Sequence, residues 1–228
     1  MIMAAGFGTR LLPLTNKIPK PLVEINNKCL LQNNIDFLFN LGCKKIIINT
    51  HFKHELIQTF IKKTYKDKKN IFISYEKEIL DTGGGVKNAV PFFNSDEEIL
   101  VTNSDIYWTN ENKNDVMKII SDFNKNEKCR LLLIEKNKAQ GIINKNGDFI
   151  LKNQLVERWK NTDKILYYSG LQVLSLKILK DITANKFSFN LIWDNLIDTN
   201  SLYGNIMEST LYHVGDLEGL NIAIKANT

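Results

Sequence analysis

Between residues 2 and 102 the chain alternates short apolar runs rich in β-branched side chains with stretches of helical spacing, and this alternation restricts the fold more than any other feature. Strands are expected at residues 2–4, 45–49, 71–75 and 98–102, and helices at 30–41, stopped by Gly42, at about 53–64 and after Gly85. Strands that follow one another through helices run parallel with right-handed crossovers, so the expected fold is α/β, a Rossmann-like, doubly wound, mostly parallel sheet. Past residue 129 the pattern changes. Strands are expected at 129–135, 165–174, 203–207 and 210–214, with helices near 176–182 and 191–198 and from Leu217 onward. Asn146-Gly147 reads as a hairpin signal between 141–144 and 149–152. The second half is therefore expected to be an α+β extension laid on the parallel sheet, within a single domain spanning 1–228. Ligands of open α/β sheets bind beyond the carboxyl ends of the strands, which points to the loops after Ala4, Tyr75 and Thr102.

A chain of 228 residues, 43% hydrophobic and 24% charged, can bury a continuous core without disulfides or metals as staples. Cys29, Cys43 and Cys129 are odd in number, widely spaced and outside any C-x-x-C pattern, so neither a disulfide framework nor a zinc site is expected. The net charge of +5 comes from lysines spread along the chain rather than gathered in one stripe, which argues against a nucleic-acid partner. No apolar run is long enough to cross a bilayer, and the N-terminus lacks a basic start followed by an apolar stretch of signal length. A cytoplasmic protein with no membrane partner is expected, and a homo-oligomer is compatible with the sequence.

Directly after the first strand stands Ala4-Ala5-Gly6-Phe7-Gly8-Thr9-Arg10, followed by Pro19-Lys20-Pro21-Leu22. Two glycines let the backbone approach a phosphate chain and present N–H groups to it, while Arg10 and Lys20 supply positive charge, the composition of a triphosphate cradle. It is not a dinucleotide fingerprint, whose third glycine would fall where Leu11 stands, nor a Walker A loop, since no Gly-Lys-Ser/Thr follows. Thr82-Gly83-Gly84-Gly85 reads as a flexible turn opening a helix, able to set main-chain groups against a flat base edge. Asp105 follows the apolar run 99–101 at a strand's carboxyl end, placed to hold a magnesium ion that bridges phosphates. With three histidines and no Ser-His-Asp or Cys-His set in evidence, nucleophilic catalysis by the protein is not expected.

In Gly6-x-Gly8-Thr9-Arg10 followed about ten residues on by Pro19-Lys20-Pro21-Leu22, the sequence resembles the sugar-phosphate nucleotidyltransferase family, and the two halves together are specific. The likeness continues through Glu76-Lys77-Glu78-Ile79-Leu80-Asp81-Thr82-Gly83-Gly84-Gly85 and Asn103-Ser104-Asp105. Length and the Thr-Gly-Gly-Gly form are most similar to the compact N-acetylmuramate 1-phosphate uridylyltransferase and mannose-1-phosphate guanylyltransferase-like branch. The resemblance implies a nucleotide-diphospho-sugar transferase fold, with residues 1–128 as nucleotide-binding half and 129–228 as sugar-binding half. It implies transfer of a nucleotidyl group from a nucleoside triphosphate, UTP favoured, to a sugar 1-phosphate with Mg2+ as cofactor and release of pyrophosphate, a step of nucleotide-sugar and cell-wall biosynthesis. Catalytic roles are implied for Arg10, Lys20 and Asp105, nucleotide binding for Ala5, Gly6, Gly8, Thr9, Thr82, Gly83 and Asn103, and sugar binding for Gly141, Glu157 and Gly170.

Three departures from the family pattern stand out. Members usually carry Asp-Val-Gly-Thr near the C-terminus, the aspartate being a second metal ligand, whereas this chain has His213-Val214-Gly215-Asp216. Imidazole is a poor partner for magnesium, so His213 contacts phosphate or a metal-bound water, or Asp216 supplies the oxygen, or binding rests on Asp105 and the nucleotide. Ser104 replaces the usual glycine before the aspartate, and the first strand starts with fewer preceding residues than in relatives, which leaves open whether Met1 is the natural start. Alternative activities are guanylyl transfer to mannose or heptose 1-phosphate, cytidylyl transfer to a phospho-alcohol, and a regulatory module that binds a nucleotide sugar without turnover.

Overall fold

Ile46, Ile47 and Ile48 are inaccessible to solvent, which places the strand they form inside a sheet covered on both faces. The computed structural model describes residues 1–94, 97–142, 146–160 and 165–226. Among these, one sheet holds nine strands: β1 Ile2–Met3, β2 Ile46–Thr50, β3 Ile71–Tyr75, β4 Glu98–Asn103, β5 Cys129–Glu135, β6 Phe149–Lys152, β7 Leu155–Arg158, β8 Leu166–Ser175 and β9 Tyr203–Ile206. Their spatial order is β6-β7-β9-β5-β8-β4-β1-β2-β3. Strands β4, β1, β2 and β3 run parallel, with Ile2 opposite both Thr102 and Ile48.

Six helices, α1 Leu30–Asn40, α2 His54–Thr64, α3 Asp81–Ala89, α4 Lys113–Asp122, α5 Phe189–Asp198 and α6 Leu217–Ala226, complete the described fold. The period-two alternation of the strands divides the core between the two faces. Ile47, Leu131 and Leu133 pack with Val86 and Ala89 of α3 and with Phe189, Ile192 and Trp193 of α5. Ile46 and Ile48 face the other way, under Ile35 and Leu38 of α1 and Ile57 and Ile61 of α2. Leu132 and Ile134 continue that side beneath Val116 and Ile119 of α4.

The architecture is the expected mixed α/β one, with a different join between its halves. Strands of the second half extend the sheet itself instead of lying on it. The cause is β8, buried along almost its whole length and too long to leave its backbone groups unpaired. It pairs antiparallel to β4 on one edge and β5 on the other, Leu171 standing opposite both Thr102 and Leu132. The hairpin expected at Asn146-Gly147 involves residues 143–145, outside the described ones; Phe149–Lys152 instead pairs with β7 through Asn153-Gln154. Both turn residues are left-handed, φ 49° and 67°, as a two-residue turn compatible with strand twist requires. The helix expected near 176–182 is a single 3-10 turn, Leu176–Leu179, and α4 has no counterpart in the sequence reading.

A second, three-stranded sheet joins Ile106–Tyr107, Leu211–His213 and Ala139–Gln140. It pairs His213 with Ile106, and Val214 N donates to Asp105 O at 2.8 Å, so a residue from the end of the chain reaches the carboxyl end of β4.

Candidate active site

Beyond the carboxyl ends of β1 to β4 lies a cleft of about 420 Å³, lined by the loop from Ala4 to Arg10, by Lys20 and Pro21, by Glu76 to Thr82 in part, and by Asn103-Ser104-Asp105. All three loops singled out from sequence therefore meet there. Gly8 is left-handed, φ 67°, and a Cβ on it would stand 2.8 Å from Lys20 Cβ, so only glycine lets the first loop lie against the second motif. Thr15 Oγ1 donates to Gly8 O at 3.0 Å, and Leu11 anchors the turn in the core. This packing explains why the two sequence motifs occur together. Arg10 is exposed at the rim, and Gly6 has open space where a side chain would stand.

Behind the loop is a buried polar chain that sequence reasoning left without a role. Ala4 N donates to Asn49 Oδ1 at 2.7 Å, Asn49 Nδ2 to Glu76 Oε1 at 2.7 Å, and Leu80 N to Glu76 Oε2 at 3.0 Å. Glu76 is 1% exposed, and its two donors compensate a carboxylate that would otherwise be costly to bury. The chain ties the loop that follows Ala4 to β2 and to the start of α3. Its only sequence signal is a polar residue at the carboxyl end of each of two apolar strands.

Helix α3 begins at Asp81, not after Gly85, so the three glycines lie inside its first turns. Close packing overrides their low helix propensity. A Cβ on Gly83 would overlap the Phe187 ring, one on Gly84 the Asn185 carbonyl oxygen, and one on Gly85 would come within 2.7 Å of Asn49 and Glu76. Gly83 N and Gly84 N both donate to Phe187 O, at 2.9 and 3.0 Å, and Phe189 N donates to Thr82 Oγ1 at 2.9 Å. The N–H groups of Gly83 and Gly84 are thus already spent, which corrects the picture of a flexible turn offering them to a base. Asp81 and Thr82 line the cleft, and Gly83 stands behind them.

Lys20 Nζ donates to Asp105 Oδ2 at 2.7 Å, and His213 Nε2 lies 3.4 Å from the same oxygen. Burial opposes the charge on Asp105, but Lys20 and His213 outweigh it and hold the carboxyl far below its ordinary range. Burial likewise disfavours charge on His213, and Asp105 overcompensates, raising it above the usual imidazole value. Asp105 Oδ1 is buried without a hydrogen-bond partner among the described residues. A bare hard oxygen beside a cleft is the donor magnesium prefers, so the residues present fit that ion. No group of three or more His, Cys, Asp or Glu able to hold a metal occurs among the described residues.

The remaining expected residues divide. Gly141, φ 80°, packs on the His213 main chain, and Gly170, φ 86°, forms the irregularity of β8 and packs on Ile106 and Asn103. Both therefore adjoin the Asp105 segment. Glu157 sits on β7, outside the cleft, its carboxylate 3.0 Å from Lys152 Nζ. Asp216 Oδ1 accepts from Gly219 N at 2.9 Å, a helix cap for α6, and is not part of the cleft lining.

The family model described as nucleotidyl transferase matches residues 1–191. The N-acetylmuramate alpha-1-phosphate uridylyltransferase of Caulobacter vibrioides is 29% identical over 225 residues, covering 95% of this chain and 91% of that protein. The D-glycero-alpha-D-manno-heptose 1-phosphate guanylyltransferase of Campylobacter jejuni is 30% identical over 189 residues, covering 75% and 84%. Among solved structures, HddC from Yersinia pseudotuberculosis superposes with a TM-score of 0.81 at 25% identity, covering 100% of this chain and 98% of that one.

Proposed function

The chain belongs to the nucleotidyl transferase family, and on that premise we propose that it transfers a uridylyl group from UTP to a sugar 1-phosphate, releasing pyrophosphate. The observation that carries this reading is the convergence of the glycine loop, Lys20 and Asp105 on one cleft. Nucleotidyl transfer to a sugar 1-phosphate is the chemistry common to the two relatives above. UTP is taken first because the uridylyltransferase aligns over 95% of this chain and 91% of its own length, against 75% and 84% for the heptose guanylyltransferase.

The acceptor needs no general base, since a sugar phosphate is largely dianionic at neutral pH, its second pKa being about 6. One of its phosphate oxygens attacks the α-phosphorus as the bond to the pyrophosphate oxygen breaks, and the electron pair leaves with pyrophosphate. The protein's task is to overcome repulsion between two polyanions and to align them. Main-chain N–H groups of the Ala5–Thr9 loop would face the triphosphate, Lys20 and Arg10 would supply fixed positive charge, and Asp105 Oδ1 would hold Mg2+. When bound, the ion neutralises phosphate charge. Asn103 and Thr82 complete the nucleotide side of the cleft, and residues 1–128 form its nucleotide half. Gly141 and Gly170 border the acceptor side in residues 129–228, and Glu157 on β7, outside the cleft and beside Lys152, is the third residue proposed for the sugar.

A second reading, guanylyl transfer to a heptose or mannose 1-phosphate, is favoured by the heptose-specific relative. Incubation with Mg2+, each of the four triphosphates and a panel of sugar 1-phosphates, followed by a pyrophosphate assay, tests both. UTP turnover supports the first and GTP turnover the second. Silence across the panel, with tight nucleotide-sugar binding, would establish a binding module instead.

A further inference from the structure

His213 is enclosed by glycines. A Cβ on Gly215 would overlap its imidazole ring, and one on Gly141 or Gly219 would overlap its carbonyl oxygen. The ring is held with Nε2 3.4 Å from Asp105 Oδ2 and Nδ1 3.4 Å from Gly141 O. Both ring nitrogens therefore face oxygen acceptors, whereas a nitrogen that ligates a metal must turn a lone pair toward it. Asp105 is correspondingly asymmetric: Oδ2 faces Lys20 and His213, while Oδ1 is buried and bare among the described residues. The other carboxylates nearby are engaged to different degrees, Asp81 being exposed at the cleft. Both oxygens of Glu76 accept hydrogen bonds, Asp81 Oδ1 accepts from Thr82 N, and Asp216 caps α6.

We propose that His213 is a positioning residue that makes this a metal site with a single carboxylate. It shares Oδ2 of Asp105 with Lys20 and so leaves Oδ1 as the one protein ligand. The free protein then holds a hard divalent cation weakly, and the ion enters as its complex with the triphosphate, whose oxygens complete the coordination. This inference rests on the metal-dependent transfer reading above.

The test is Mn2+ binding to the nucleotide-free protein, followed by electron paramagnetic resonance, in the wild type, His213→Asp, His213→Gln and the double variant His213→Asp/Asp105→Asn. Circular dichroism checks each fold. The wild type and His213→Gln, which keeps a donor toward Oδ2, are expected to bind weakly. His213→Asp, by adding a second carboxylate, is expected to tighten Mn2+ binding by about tenfold or more, the scale of changes around metal ligands, and the gain should vanish in the double variant. Wild-type protein that binds Mn2+ as tightly as His213→Asp, or a gain that survives loss of the Asp105 carboxylate, would overturn the proposal. Wild-type Mn2+ binding that no nucleoside triphosphate tightens would also overturn the proposal, and that outcome needs no variant to fold. Tight metal binding by a protein that releases pyrophosphate defeats this inference alone, whereas a wild type inert toward every triphosphate defeats the reading beneath it.

Discussion

Asp105→Asn keeps the size of the side chain and removes its charge. Turnover is expected to fall by about 10²–10³-fold, the loss typical when one preorganised electrostatic contact is deleted, with an unchanged circular dichroism spectrum; near-normal turnover would discredit the metal assignment. Lys20→Ala is expected to raise the triphosphate KM and lower kcat in steady-state assays. Glu76→Gln acts on stability instead. The glutamine amide would turn a donor toward either Asn49 Nδ2 or Leu80 N, at a cost of about 1–3 kcal/mol for a buried mismatch, read as a lower urea midpoint at unchanged slope. Gly6, Gly8, Arg10, Lys20 and Asp105 were legible because each lies in a short contiguous motif. The Asn49–Glu76 link was not, because it joins residues 27 apart and gains meaning only when two strands lie side by side.

At the level of elements, α3 reverses an ordinary rule. Gly→Ala in an exposed helix stabilises by about 1 kcal/mol, but Gly84→Ala would drive a methyl into the Asn185 carbonyl. It is expected to lower Tm and to raise the triphosphate KM, as the 185–189 segment is pushed off Thr82 and Gly83; an unchanged or higher Tm would show that this contact yields freely. The same crowding is why the start of α3 was misread: three successive glycines look like a loop until the segment packed on them is known. Strands at 71–75 and 129–135 were legible to the residue, since apolar runs bounded by polar residues carry their own limits. Helix α4 was missed because its buried positions in a lysine- and asparagine-rich stretch are few, Asp115, Val116 and Ile119.

On the scale of the whole molecule, no helix among the described residues is long and apolar enough to cross a membrane. The cysteines are packing residues. Burial pushes the Cys29 thiol up to about 11 and raises Cys43 and Cys129 as well, so at pH 8 only about a thousandth of Cys29 is thiolate. Alkylation of the native protein is expected to be slow and to accelerate sharply in denaturant; rapid labelling of Cys29 in the folded state would contradict its placement. Strand alternation in the first half made the parallel core legible, but not the way β8 inserts between β4 and β5, where partners such as Leu166 and Glu135 or Ser175 and Glu98 are far apart in the chain. That insertion has a mechanical corollary. A protease site engineered into the connection between α4 and β5 should yield two peptides that travel together through a sizing column and part only in denaturant, because one long strand seams them edge to edge.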